Sequence, residues 1–234
     1  MSDAPQAWPL PEPVEGVIFD IHSTLVDQGD ADQWLEAALT VDPHPLTTSE
    51  RARLVAFLDR IWEGARVSDP DSTRDLSFEA HSRVFHELIA QGPAVDRTLA
   101  NALYDVMLDT WHAYDDTVPT LVALREMGMR VCLLSNAGVP IRTVLDREGV
   151  TPWVDATVLS YEVGAVKPDR RIFEAALAAL DLPASRVVMV GDNANDDGGG
   201  AHLGLRTLIL PRTSGRVHGL DAVTALVAGM RLSR

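Results

Sequence analysis

The chain has 234 residues, 46% of them hydrophobic, one cysteine and a formal net charge of −14 at pH 7. This length fits one large domain, or a main domain with a smaller one, and the apolar share supplies a buried core and excludes global disorder. The negative charge repels nucleic acid and anionic membranes, no apolar run approaches the roughly 18 residues of a membrane span, and a lone Cys132 excludes an internal disulfide framework.

Residues 1–13 are polar and Pro-rich, without a basic start or an apolar stretch. They read as a disordered lead-in, not a secretory signal. Cys132 lies in the apolar run 131–134, where a buried, inert thiol is expected. These features predict a cytoplasmic protein.

A first strand is expected over 17–20: a short apolar run that stops at Asp20, with His22, Ser23 and Thr24 close behind. Continuous apolar runs are the mark of strands buried on both faces of a parallel sheet. Ligands of such sheets bind outside the carboxyl ends of the strands, so an acid ending a strand is placed for chemistry. The same residues also fit a plain Asx turn after a strand.

From about Trp34 to Tyr114 the apolar residues recur at helical spacing. Leu54, Phe57, Leu58 and Ile61 form one such stripe, and Leu99, Leu103, Val106 and Met107 another. Ser49 before Glu50 is the expected start of the second helix, and Pro and Gly-Pro breaks divide the block into about four helices. From Thr117 onward helices alternate with apolar runs. Helices are expected over 118–127, 139–148, 168–180, 197–203 and 220–227, with Pro168 at an early helical position. Strands are expected over 130–134, 156–160, 186–190 and 207–210. This alternation predicts an α/β fold, a doubly wound parallel sheet of Rossmann-like kind, with an inserted α-helical domain. The expected division is a core of residues 14–30 and 113–234, and a helical unit of residues 31–112.

Aligning the strand ends gathers the chemistry. One strand ends at Asp20, another at Ser135-Asn136 and another at Gly191-Asp192, while Lys167 precedes a helix that starts at the same rim. The loop after Gly191 carries Asp192, Asp196 and Asp197. Carboxylates this dense repel one another unless a positive charge sits among them, and hard oxygen donors suit Mg²⁺. A solvated acidic turn is the alternative.

Four segments, in order, resemble the motifs of the haloacid dehalogenase-like (HAD) hydrolase superfamily. They are Phe19-Asp20-Ile21-His22-Ser23-Thr24-Leu25, then Leu134-Ser135-Asn136, then Lys167-Pro168-Asp169, then Gly191-Asp192 with Asp197 through Ala201. The helical block stands where members of the helical-cap (C1, subfamily I) type carry their cap. The resemblance implies a Mg²⁺-dependent phosphatase of a small phosphorylated metabolite, acting as a monomer or homodimer. Asp20 would be the nucleophile, and Ser135, Asn136, Lys167 and Thr24 would bind the phosphoryl group. Asp20, the backbone carbonyl of His22, Asp192 and Asp197 would serve the metal, with Asp196 as the alternative to Asp197.

One departure stands out. His22 occupies the place where most phosphatases of the superfamily carry an Asp as general acid and base. An imidazole with an unperturbed pKa of about 6.5 is able to take that role. A catalytically weakened ligand- or partner-binding protein is a second reading, and a 2-haloacid dehalogenase-type hydrolase a third. Dehalogenases also lack the second Asp, but they replace the Gly-Asp acid that this chain keeps. In the helical block, His81, Arg83 and His86 are candidates for contact with a substrate's polar end, and core or solvent-facing roles compete with that reading.

Overall fold

The computed structural model describes residues 12–213 and 215–232. Most of the expected lead-in lies outside the described residues. Of the two that are described, Glu12 is anchored: its carboxylate accepts from Arg186 Nε at 2.9 Å and from Ser185 at 3.1 Å.

The elements run β1 (Gly16–Phe19), β2 (Val26–Asp27), α1 (Ala31–Val41), α2 (Thr48–Leu58), α3 (Ile61–Ser68), α4 (Phe78–Ile89), α5 (Arg97–Asp105), β3 (His112–Ala113), α6 (Thr117–Glu126), β4 (Arg130–Ser135), α7 (Arg142–Arg147), β5 (Ala156–Leu159), α8 (Ser160–Val163), α9 (Arg170–Leu180), β6 (Val187–Gly191), α10 (Ala194–Asp197), β7 (Arg206–Ile209) and α11 (Asp221–Leu232), with short 3₁₀ turns between. Five strands form a sheet of order β5-β4-β1-β6-β7, parallel at every pairing. This is the predicted α/β architecture, with β1 at the centre.

Period-2 alternation of the strand side chains sorts the core into two layers. Val17, Phe19, Val131, Leu133, Val188 and Val190 belong to one apolar cluster, together with residues of α6, α7 and α11. Ile18, Cys132, Leu134, Val187 and Met189 point into a second, packed against Ile172, Phe173, Ala176 and Leu180 of α9. Helices therefore cover both faces of the central strands β4, β1 and β6.

Helices α1 to α5 close on a third cluster of their own, built around Trp34, Leu35, Leu58, Phe85, Leu99 and Leu103. Trp34 is core here, its indole N–H donating to the Leu103 carbonyl at 2.8 Å. The block contains five α-helices, one more than expected. The second starts earlier than predicted, because Thr47 and not Ser49 supplies its N-cap: Thr47 and Glu50 form a reciprocal capping box, which satisfies two otherwise orphaned donors.

Three further expectations shift. Pro168 lies before the α9 N-cap, which is Asp169, and the Lys167–Pro168 peptide is cis. The helix expected over 197–203 divides into α10 and a 3₁₀ turn, Gly198–Leu203. A short antiparallel pair, β2 with β3, was not expected, since two-residue strands carry no periodicity to read.

Among the contacts between the helical block and the core, one is especially tight. Ser160 Oγ, fully buried, accepts from Ala137 N at 3.0 Å and donates to the Asp75 carbonyl. Beside it, a Cβ added to Gly138 would lie 2.4 Å from the Arg74 carbonyl oxygen and 2.8 Å from His81 Cβ. Gly138→Ala should therefore force the two units apart locally and cost about 1–3 kcal/mol, the range for overpacking. Equilibrium urea unfolding measures this, and an unchanged midpoint would show that the contact yields freely.

Candidate active site

Strands β1, β4 and β6 end on one edge of the sheet, and the expected residues meet there. Asp20 follows β1 and is held in line by its backbone N–H, which donates to the Val190 carbonyl of β6 at 2.8 Å. Ser135 ends β4 and is buried. Asp192 follows β6. Lys167 arrives from the loop before α9, and Asn136 fixes it: the Asn136 Oδ1 accepts from Lys167 N at 2.7 Å, and its Nδ2 donates to the Lys167 carbonyl at 3.1 Å.

The centre is a buried ammonium between two buried carboxylates. Lys167 Nζ donates to Asp20 Oδ1 at 2.5 Å and to Asp197 Oδ1 at 2.7 Å, and each of the three residues is at most 5% exposed. Burial alone would lower the Lys167 pKa, but Asp197 and Asp20 outweigh it and hold it raised. Burial pushes Asp20 up, Lys167 pulls it back, and Asp197 and Asp192 add to the rise. The second Asp20 oxygen accepts from Thr24 Oγ1 at 3.2 Å. Thr24 is fully buried and turned to Asp20. Among the residues expected at the phosphoryl group it is the one that does not line the cavity.

The acidic loop divides its labour. Asp197 folds back against the strand end, so that a Cβ on Gly191 would fall 2.0 Å from its Oδ2. That Oδ2 accepts from Asn193 N at 3.0 Å. Asp196 is half-buried and accepts from Asn193 Nδ2 at 2.6 Å. Asp192 pairs with Arg212. Asp20, Asp192 and Asp197 each bring a ligating oxygen into a group whose members lie within 4.8 Å of one another. An all-oxygen, carboxylate-rich donor set of this size fits a hard divalent cation.

These residues floor a cavity of about 110 Å³. Its roof comes from the helical block and includes Trp62, Arg66, Arg74 and His81, with Trp111 at the side. Of the three candidates named from that block, His81 reaches the cavity. Arg83 is exposed beside Glu87, 3.9 Å away, and His86 bonds Asn101 at 3.0 Å in a separate surface recess.

His22 also lines the cavity, stacked on Trp111 with ring centroids 4.7 Å apart. Its Nε2 is buried without a hydrogen-bond partner. Burial, followed by the positive charges of Arg212, Arg66 and Lys167, pushes its pKa down to about 3. The imidazole is therefore neutral across the physiological range and a poor proton donor there.

Several site residues were not foreseen. Arg66, Arg74 and Arg212 come from segments with no motif and reach the cavity through tertiary folding alone. His218, which carries no metal-ligand spacing, is 8% exposed, and its Nε2 donates to the Ser23 carbonyl at 2.9 Å. Ser23 has a positive φ of 64°, so the turn behind the candidate nucleophile is pinned from a residue 195 positions away.

The haloacid dehalogenase-like hydrolase model matches residues 14–204. A glyceraldehyde 3-phosphate phosphatase from Methanothermobacter thermautotrophicus is 34% identical over 195 residues, 79% of each chain. The (S)-2-haloacid dehalogenase 1 of Pseudomonas sp. (strain CBS-3) is 34% identical over 110 residues, 45% of this chain and 48% of that one. The solved structure of a HAD phosphatase from Thermococcus onnurineus aligns with a TM-score of 0.63 at 20% identity, covering 94% of this chain and all of that one. No helix among the described residues is long and apolar enough to cross a membrane.

His81 gives the site a pH signature. Its pKa is pushed down to about 4 by burial and the nearby Arg74. A depressed folded-state pKa supports stability above the unfolded value of about 6.5 and loses it as pH falls toward the folded value. Between pH 6.5 and 4 the wild type should lose on the order of 3 kcal/mol through this group. His81→Gln should show a shallower acid limb in urea midpoints measured across that window, and parallel limbs would remove His81 as the cause.

Proposed function

The chain belongs to the haloacid dehalogenase-like hydrolases, and from that membership we propose a phosphoric monoester hydrolase that acts on a small phosphorylated metabolite in the cytoplasm. The observation that carries this reading is the buried Asp20–Lys167–Asp197 set, with Asp192 beside it. Asp20 Oδ attacks phosphorus. The bond from phosphorus to the ester oxygen breaks, that oxygen leaves with the electron pair and takes a proton, and water then cleaves the aspartyl-phosphate to free phosphate and the original carboxylate. Lys167 and Ser135 hold phosphoryl oxygens whose negative charge grows in the transition state. Thr24 holds the idle Asp20 oxygen, and Asn136 and Asp197 keep Lys167 in place. The helical block acts as a cap over the cavity and excludes water during attack.

Asp20, Asp192 and the His22 carbonyl would hold Mg²⁺, with Asp197 serving it through water. When bound, the ion supplies positive charge between an anionic nucleophile and an anionic substrate. The retained Asp192, grouped with the carboxylates of Asp20 and Asp197, supports phosphoryl transfer over dehalogenation.

The weak part of this machinery is proton transfer. A neutral His22 gives the leaving oxygen little help, a role worth roughly 10²–10⁴-fold when filled. Phosphate release from a metabolite panel, assayed with Mg²⁺ or with EDTA, tests the reading. Release should require Mg²⁺ and fall to background in Asp20→Asn, and no release from a broad panel would overturn it. His22→Asp should raise turnover of poor leaving groups by tenfold or more on that scale and of aryl phosphates much less. Equal rates for wild type and variant on a poor leaving group would take position 22 out of proton transfer.

A further inference from the structure

Four cationic side chains line the cavity: Lys167, Arg74, Arg212 and Arg66. Three are already matched by carboxylates. Lys167 lies between Asp20 and Asp197. Arg74 is shared by Asp69 at 3.3 Å and Asp75 at 3.4 Å, and is itself buried. Arg212 holds Asp192. Arg66 makes no ion pair or hydrogen bond to any described residue, and it is exposed to the cavity mouth.

Its position on α3 directs it inward. Trp62 and Arg66 stand four residues apart, hence on one helix face, and both line the cavity. Trp62 in turn packs on His81, ring centroids 5.5 Å apart. The roof thus has two planar rings beside a guanidinium that no carboxylate contacts directly, opposite the floor where Asp20 and Lys167 act. A neutral substrate tail would leave that charge with only the longer-range attraction of Asp196 across the cavity. An anionic tail would take it up without breaking any existing ion pair.

Resting on the phosphatase reading above, we propose that Arg66 is a specificity-determining residue and that the substrate is a small phosphomonoester carrying a second anionic group, a carboxylate or a second phosphate. The guanidinium fork donates to the oxygens of either group in a bidentate fashion. Of the other candidates in the roof, His81 Nδ1 is 3.2 Å from the Tyr104 hydroxyl, and Arg74 is held by its two acids.

The test compares three probes of similar size: 3-phosphoglycerate, propane-1,3-diol bisphosphate and glycerol 3-phosphate. In the wild type, kcat/KM for at least one of the first two should exceed that for glycerol 3-phosphate by about tenfold or more, the scale of a charge-assisted hydrogen-bonded pair. Which of the two is preferred identifies the second anion. Arg66→Gln should collapse this preference, and Arg66→Lys should keep part of it, since the charge remains while the fork is lost. Calorimetric binding of the same probes to Asp20→Asn protein, with and without Arg66→Gln, reads selectivity apart from turnover. Turnover without an Arg66-dependent preference overturns the subsite and leaves the phosphatase reading standing. Selective binding that depends on Arg66, with no turnover by the wild type, overturns the phosphatase reading and supports the subsite. Absence of both selective binding and preference overturns the proposal.

Discussion

The site hangs on one buried charge. Lys167 brings a full positive charge into a place almost closed to water, where it is tolerable only because Asp20 and Asp197 flank it. Removing a single partner from such a set leaves an uncompensated buried ion, which typically costs about 3–5 kcal/mol. The three residues come from the end of the first strand, the loop before α9 and the short helix α10 after β6, so they depend on one another only in the folded sheet. What this arrangement provides is position. The Asp20 carboxylate is gripped at both oxygens, by Lys167 and by Thr24, before any substrate arrives.

Much of this was readable because the chemistry is local at strand ends. Asp20, Ser135 and Asp192 each close an apolar run, and a parallel sheet with strands in this order carries such ends to one rim. The acidic loop announced positive charge among its carboxylates, and in the fold Lys167 meets Asp197 while Arg212 meets Asp192. The choice between Asp196 and Asp197 stayed open in the sequence; in the fold it is Asp197 that reaches Lys167, and a side chain at 191 would occupy the space of its carboxylate. The glycine and the acid six positions later are two halves of one fit.

What stayed hidden was set by distance along the chain. Arg66, Arg74 and Arg212 line the cavity from helices and turns whose sequences are ordinary, and no periodicity distinguishes a solvent-facing Arg from one that overhangs a cleft. The Thr47 cap was missed in favour of Ser49 because both hydroxyls stand near Glu50, and only backbone geometry decides which one closes the box. The reading of His22 turned on its surroundings. Its type suggested a proton carrier at neutral pH, whereas burial against Trp111 among cations keeps it uncharged.

The bond from His218 to the Ser23 carbonyl bears on how the molecule is made. The turn that follows Asp20 is held from far along the chain: one of its anchors is translated 195 residues after it. Asp116 adds to the delay, since its carboxylate accepts from the backbone of His218, Gly219 and Leu220. On a ribosome the central strands have all emerged before this clasp exists. The turn after Asp20 therefore closes only once residue 218 is available, and a chain cut short of His218 would lack this clasp.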